Sequence, residues 1–140
     1  MNKNDPPASF GVFKPVGHIL IAFRGANQLQ SAIDQLLTRG FATSDLTRYS
    51  PQEMIDQVNR ELSAASPLAS PGNELDFIRA HKTLAEAGSQ FLVVQAEGEV
   101  QVERVAQVAR ATGAAHAQRY GRLVIEEIIA RPVGSEAGTQ

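Results

Sequence analysis

Apolar residues recur along the chain in two different spacings, which predict alternating strands and helices. Two short, almost continuous apolar runs, residues 16–23 and 91–94, are typical of central strands that are buried on both faces. Each run is followed by a segment with apolar residues at helical spacing that ends at a glycine, Gly40 in the first case and Gly113 in the second. The pattern therefore predicts two copies of a strand–helix unit.

Capping residues mark the starts of two helices. We expect Asn27 to cap the first helix, with Gln30 three residues later. In the second, Ser50, Pro51 and Glu53 supply a hydroxyl cap, a fixed first φ angle and a carboxylate at the third helical position. These signals place one helix after residue 27 and another from residue 51 onward.

The segments between and after these units complete the predicted order of elements. Residues 41–49 have polar residues among apolar ones and predict a partly exposed strand. Residues 63–72 contain two prolines and no charge, which predicts a mobile linker before a third helix over 73–87. Two final strands, 115–120 and 122–129, are expected to be joined by a tight turn. The helix pair is thus inserted between the two strand–helix units.

This order of elements fits an α+β fold, a ferredoxin-like split βαβ two-layer sandwich with an inserted helix pair. We expect one domain over residues 15–130, with flexible tails at 1–14 and 131–140. The final strand is apolar on both of its faces, so the sheet needs cover on the side away from its helix layer. Either dimerisation or packing of the inserted helices would supply that cover.

Charge and composition narrow the classes of partner. The chain has 13 Lys and Arg against 15 Asp and Glu, and this net charge of -2 gives no general attraction for nucleic acid or an anionic membrane. It has no cysteine, which excludes thiolate metal ligands and cysteine nucleophiles. We therefore expect no nucleic-acid or membrane partner. The N-terminus has no apolar h-region, and the longest apolar run near it, residues 19–23, is far below the roughly 20 residues that span a bilayer, so we expect a cytoplasmic protein.

Histidine is the first candidate for chemistry. His81 is predicted to lie on the apolar face of its helix between Phe77 and Leu84, where burial would lower the pKa of the ring. The favoured interpretation is a core-edge histidine bonded to a backbone carbonyl, and an acid or base is the alternative. No histidine pair has metal-ligand spacing and no glycine motif fits a nucleotide loop, so we expect no metal and no cofactor. The sequence assigns no catalytic residue.

A first candidate binding site lies at the junction of a strand and a helix start. Arg48 and Tyr49 precede Ser50, and free N–H groups beside an arginine can bind a small anion. Ordinary helix capping by Ser50 explains the same residues and is the favoured alternative.

A second candidate binding site lies at the turn between the two final strands. Tyr120 and Arg122, next to Arg119, combine an aromatic ring with guanidinium groups that can hold a carboxylate or a phosphate. Salt bridges to Glu126 or Glu127 across the hairpin would also explain the arginines and are favoured.

Residues 17–23 with 32–41, and residues 88–94 with 106–115, resemble bacterial general-stress, heat-induced, YflT-like domains. The resemblance covers about half of the chain and consists of strand, helix and glycine. Residues 50–87 and 120–127 look more like a group of uncharacterised proteobacterial proteins. The likeness implies a ferredoxin-like domain with a stress-linked role, and the family offers no established catalytic residues to carry over.

Two functions follow as hypotheses. The leading one is a non-catalytic, homodimeric module that binds a ligand, such as a small anion, or a protein partner in stress or regulation. The alternative is a small cofactor-independent enzyme of the dimeric ferredoxin-like kind that uses His81 or Tyr49 in a cleft. A filled core around His81 would favour the first, and an enclosed pocket reached by His81, Tyr49 and an arginine would favour the second.

Overall fold

The computed structural model describes residues 8–9, 12–13, 17–64, 74–121 and 125–130. A 3₁₀ turn at Thr43–Asp45 precedes the fourth strand. In chain order the elements are β1 (Ala8–Ser9), β2 (Val12–Phe13), β3 (His18–Phe23), α1 (Ala26–Thr38), β4 (Leu46–Tyr49), α2 (Pro51–Ala64), α3 (Glu74–Glu86), β5 (Gln90–Gln95), α4 (Gly98–Ala111), β6 (His116–Tyr120) and β7 (Ile125–Ala130).

Five strands form one sheet in the order β4-β5-β3-β6-β7, and every neighbouring pair is antiparallel. The two strands of each strand–helix–strand segment are separated by a strand of the other segment, so the two segments interleave. This is the split βαβ arrangement, and the predicted α+β sandwich is confirmed. Near its end the sheet has a bulge, because Ala117 pairs with Ile129 whereas Gln118 pairs with Glu127.

The central strand β3 is buried on both faces, as its apolar run predicts. Ile19, Ile21 and Phe23 point to one face and Leu20 and Ala22 to the other, and each is at most 1% exposed. Because no position in this strand reaches water, both faces of the sheet must carry a helix layer.

On the first face, α1 and α4 form the layer. Their apolar stripes, which include Leu29 and Leu36 of α1 and Val105 and Val108 of α4, pack on the odd-numbered side chains of β3. The helices and the sheet thus form the predicted two-layer core.

On the second face, the inserted pair α2 and α3 forms the cover. Met54 and Val58 of α2 and Ile78 of α3 join Phe91 and Val93 of β5 in a second core cluster. Of the two expected kinds of cover, packing of the inserted helices is the one observed on this face, over β3, β4 and β5.

The expected cap of α1 is wrong by two residues. The helix begins at Ala26 after the extended Gly25, and the Gln28 carboxamide oxygen accepts a hydrogen bond from the Gly25 N–H at 3.2 Å. Asn27 lies inside the helix and Gln30 hydrogen-bonds Asp34 instead. The reason is that Gln28 already satisfies the first free N–H, so the helix starts earlier.

The predicted helix end at Gly40 is confirmed. Gly40 has a φ of 98°, and the N–H of Phe41 bonds the carbonyl of Leu36 at 3.1 Å. This left-handed ending, which glycine adopts without strain, satisfies carbonyls at the end of the helix. The same arrangement ends α3 at Gly88 and α4 at Gly113.

Two other boundaries differ from expectation, and a third is described only in part. The strand predicted over 41–49 is only β4, because Asp45 accepts a hydrogen bond from the Ala42 N–H at 2.9 Å and holds a turn before it. The final strand covers Ile125–Ala130 among the described residues, and its predicted start at 122–124 lies outside them. Of the linker expected at 63–72, Ser63 and Ala64 belong to α2, and residues 65–72 lie outside the described part of the chain.

The two ends are described only in part. Between residues 8 and 13, β1 and β2 pair antiparallel, and β2 lies beside α2 and α3. Residues 131–140 lie outside the described residues.

The α2 start is a complete capping box and gives a direct test of stability. Ser50 Oγ accepts from the Glu53 N–H at 3.1 Å, and Glu53 Oε1 accepts from the Ser50 N–H at 2.9 Å. Ser50→Ala should lower the free energy of unfolding by about 1 kcal/mol, because the Glu53 N–H loses its side-chain acceptor. The matched control is Ser63→Ala in the last turn of α2, which should change it by less than about 0.5 kcal/mol. Urea denaturation of both variants measures this, and equal effects would contradict the assigned cap.

Candidate functional site

A buried polar cluster lies between α3 and the sheet, and we call His81, Gln118 and Tyr120 the His81 cluster. Gln118 and Tyr120 are two residues apart on β6, so their side chains share one sheet face. His81 reaches them from α3. Each of the three is at most 2% exposed, which makes the cluster part of the core.

The hydrogen bonds of the cluster fix the state of the histidine ring. His81 Nε2 lies 3.2 Å from Gln118 Oε1 and 3.4 Å from the Tyr120 hydroxyl. Since a carboxamide oxygen only accepts, Nε2 carries the proton. The other ring nitrogen, Nδ1, has no hydrogen-bond partner among the described residues, which suits a bare lone pair. An edge contact with the Phe91 ring, at 6.4 Å between centroids, completes the packing.

Burial lowers the pKa of His81 from 6.5 to about 4. The hydrogen bond to Gln118 acts in the opposite direction, and the nearby His116 adds a smaller lowering effect. The expected lowering is confirmed, although the partner of the ring is a side chain rather than a backbone carbonyl. At neutral pH His81 is therefore an uncharged core residue.

Tyr49 lies on the same sheet face at the far edge, beneath α2. Burial, with a contribution from Glu53, raises the pKa of its hydroxyl to about 12. The buried carboxylate of Glu61 is a neighbouring charge. Its Oε1 accepts a hydrogen bond from Gln57 Nε2 at 2.6 Å. At neutral pH Tyr49 stays protonated.

The structure separates Arg48 from Tyr49. The two are neighbours on β4 and point to opposite faces, and Arg48 Nη1 donates to Gln30 of α1 at 3.3 Å. Ser50 is occupied as a helix cap. Arg48 and Tyr49 are therefore not brought together at this junction, and the capping role of Ser50 accounts for the hydroxyl.

Arg119 is held by carboxylates at the other end of the sheet. Its guanidinium contacts Glu99 of α4 through two nitrogens, at 2.9 and 3.3 Å, and lies 3.9 Å from Glu126. The expected salt bridge across the hairpin is confirmed, while Glu99 was missed because it is near only in the folded chain. Tyr120 points to the opposite face, and Arg122 lies outside the described residues.

A groove of about 300 Å³ lies between α3 and the last two strands, and we call it the α3–β7 groove. Neither His81 nor Tyr49 lines it, but Gln118 of the His81 cluster does. Its lining consists of Asp76, Phe77, Ala80, His116, Gln118 and Glu127. The sequence associates His116, Gln118 and Glu127 through the final hairpin, but it does not indicate that α3 packs beside them.

Within the described part of the chain, no group of histidine and carboxylate side chains is arranged to hold a metal ion. None of the described helices combines the length and apolarity that a bilayer crossing requires. No protein-family model matches the chain, and no curated protein or solved structure shows significant similarity to it. The class of protein is therefore defined by the fold alone.

The position of His81 predicts acid sensitivity. An unfolded histidine binds its proton near pH 6.5 and the folded one only near pH 4, so the unfolded chain binds more protons between these values. Stability is then complete above pH 6.5 and falls as pH drops toward 4, by up to about 1.4 kcal/mol per pH unit. His81→Gln removes this loss, but should cost about 1 kcal/mol at pH 7, because a buried hydrogen bond is disturbed.

The measurement is urea denaturation of both proteins at pH 7 and at pH 4.5. The deficit of the variant at pH 7 should shrink or reverse at pH 4.5. His18 and His116 are present in both proteins, so the comparison isolates the substitution at position 81. A deficit of equal size at both pH values would show that His81 does not keep its lowered pKa.

Proposed function

We propose that this chain is a cytoplasmic, non-catalytic module that forms homodimers and binds a ligand or partner in stress or regulation. The observation that carries the non-catalytic part is the burial of both acid–base candidates in filled core. His81 has a pKa of about 4 and Tyr49 a pKa of about 12. Both values are far from neutral pH, so His81 is a poor base and Tyr49 a poor acid there. The stress link derives from the resemblance of its strand–helix units to YflT-like domains.

Chemical features of the accessible surface support binding rather than turnover. The α3–β7 groove is lined by both polar and apolar side chains, and Tyr49 and Arg48 are not among them. An anionic ligand has less support, because Arg119 is paired with Glu99 and Glu126 and Arg48 with Gln30. The proposed ligand is therefore not an anion held by these arginines.

For the homodimer we propose pairing through β7. This strand is the last in the order of the sheet, and it pairs on one side with β6 among the described residues. Ile128 and Ile129 are only partly buried against the core beneath them. An outer strand with half-covered apolar side chains is a natural position for a second copy of the sheet.

The dimer is tested by light scattering across a concentration series. At high micromolar concentration we expect twice the mass of a single chain, falling toward one chain on dilution. A single-chain mass throughout the series would overturn the homodimer and leave the ligand-binding part of the proposal intact.

The non-catalytic role is tested with small molecules that remain bound after gentle purification, detected by native mass spectrometry. His81→Gln should keep the affinity for such a molecule within about threefold, because His81 supports packing and does not reach the groove lining. Thermal melts of the same variant provide the control. A variant that melts like wild type and loses the molecule would favour the cofactor-independent enzyme.

A further inference from the structure

Gln118 is placed to present a fixed donor at the floor of the α3–β7 groove. It is 2% exposed and lines the groove, while its Oε1 is engaged by His81. No hydrogen bond links its Nε2 amide group to another described residue. Since an amide nitrogen carries two protons, a donor at the groove is held in one orientation without an acceptor among the described residues.

Glu127 supplies an acceptor beside that donor. Gln118 and Glu127 are cross-strand partners in the β6–β7 register, so their side chains leave the same sheet face as neighbours. The bulge follows directly at this pair, and bulges commonly redirect side chains at sheet edges and sites. The two strands thus present an N–H donor and a carboxylate acceptor side by side.

The opposite wall of the groove is formed by α3 and is partly apolar. Phe77 and Ala80 line it, and Asp76 adds a second exposed carboxylate that lies 3.9 Å from Arg79. With an aromatic side chain on one wall and a donor–acceptor pair on the other, the groove fits a flat group of complementary polarity. Its two carboxylates disfavour an anionic ligand.

We propose that the α3–β7 groove binds a flat aromatic carboxamide, whose oxygen accepts from Gln118 and whose amino group donates to Glu127. The ring packs beside Phe77 and Ala80. This inference rests on the proposed binding function and names the ligand class and the site. His81 bonds the Gln118 oxygen from the core side and does not line the groove.

The test uses benzamide and benzoate, which have nearly the same shape and differ in charge and donor. Each is titrated into the ¹⁵N-labelled full chain, and amide and side-chain NH₂ signals are followed by NMR. Benzamide should shift Phe77, Ala80 and the Gln118 side chain with a Kd on the order of 1 mM. Benzoate should bind at least about fivefold more weakly, because its carboxylate meets Glu127 and lacks the N–H donor.

Two exposed neighbours on β7 make a matched pair of variants. Glu127→Gln should bring the affinities for benzamide and benzoate to within about twofold, because the repulsion is removed. Glu126→Gln changes the next residue, which points to the other face toward Arg119, and should leave the wild-type preference. Identical behaviour of the two variants would overturn the pairing with Glu127.

The remaining outcomes separate this inference from the proposed function. Failure of benzamide to give saturable shifts at the groove, or benzoate binding as tightly, overturns the carboxamide site. Saturable shifts at other residues also overturn it, and they leave a ligand-binding module in place. The proposed function itself is judged by the mass of the particle and by the molecules retained on purification, neither of which depends on benzamide.

Discussion

Burial of β3 on both faces is the constraint on which the rest of the structure depends. A strand without a water-facing position requires a helix layer above and below, and the two strand–helix units supply only one of them, α1 and α4. The helix pair inserted between β4 and β5 supplies the other. Loss of α2 and α3 would expose Leu20, Ala22 and their neighbours on β5, at roughly 25 cal/mol per Å² of apolar surface. The insertion is therefore part of the core rather than an addition to it.

The same constraint explains why polar groups accumulate on one side of β6. The strand lies next to β3, where α3 covers it, yet its residues on that face are His116, Gln118 and Tyr120. Polar atoms placed there must find partners within the protein, and His81 provides one from the covering helix. Mutual hydrogen bonding makes the cluster compatible with burial, and desolvation holds the ring neutral. An arrangement that fits the core so well is correspondingly poor at exchanging protons near pH 7.

The predictable features of this fold are those that short segments determine. The apolar runs of β3 and β5, the capping box of Ser50 and Glu53, and the glycine at the end of α1 each act within a few residues. The start of α1 was missed because two local arrangements compete there and Gln28 decides between them. The Arg119–Glu99 contact depends on how α4 packs beside β6, and the α3–β7 groove depends on the register of β6 and β7. The spacing of apolar residues indicates neither. The burial of His81 was predictable from its helical face, whereas its partner Gln118 was not.

The strand β7 belongs both to the proposed dimer edge and to the wall of the α3–β7 groove, so the two binding events can be coupled. β7 carries the outer edge through which a second copy would pair, and Glu127 on the same strand lines the groove. The bulge of the β6–β7 pair is next to Glu127, so the same local geometry sets both the spacing of backbone groups along the edge and the direction of Glu127. If pairing changes that geometry, the ligand affinity changes by the same factor by which the ligand changes the dimerisation constant. A ligand indifferent to the shape of β7 would leave the dimer unchanged however tightly it bound. Coupling between the groove and the edge therefore requires only that the bulge differ between the single chain and the pair, with no contact between the ligand and the second copy.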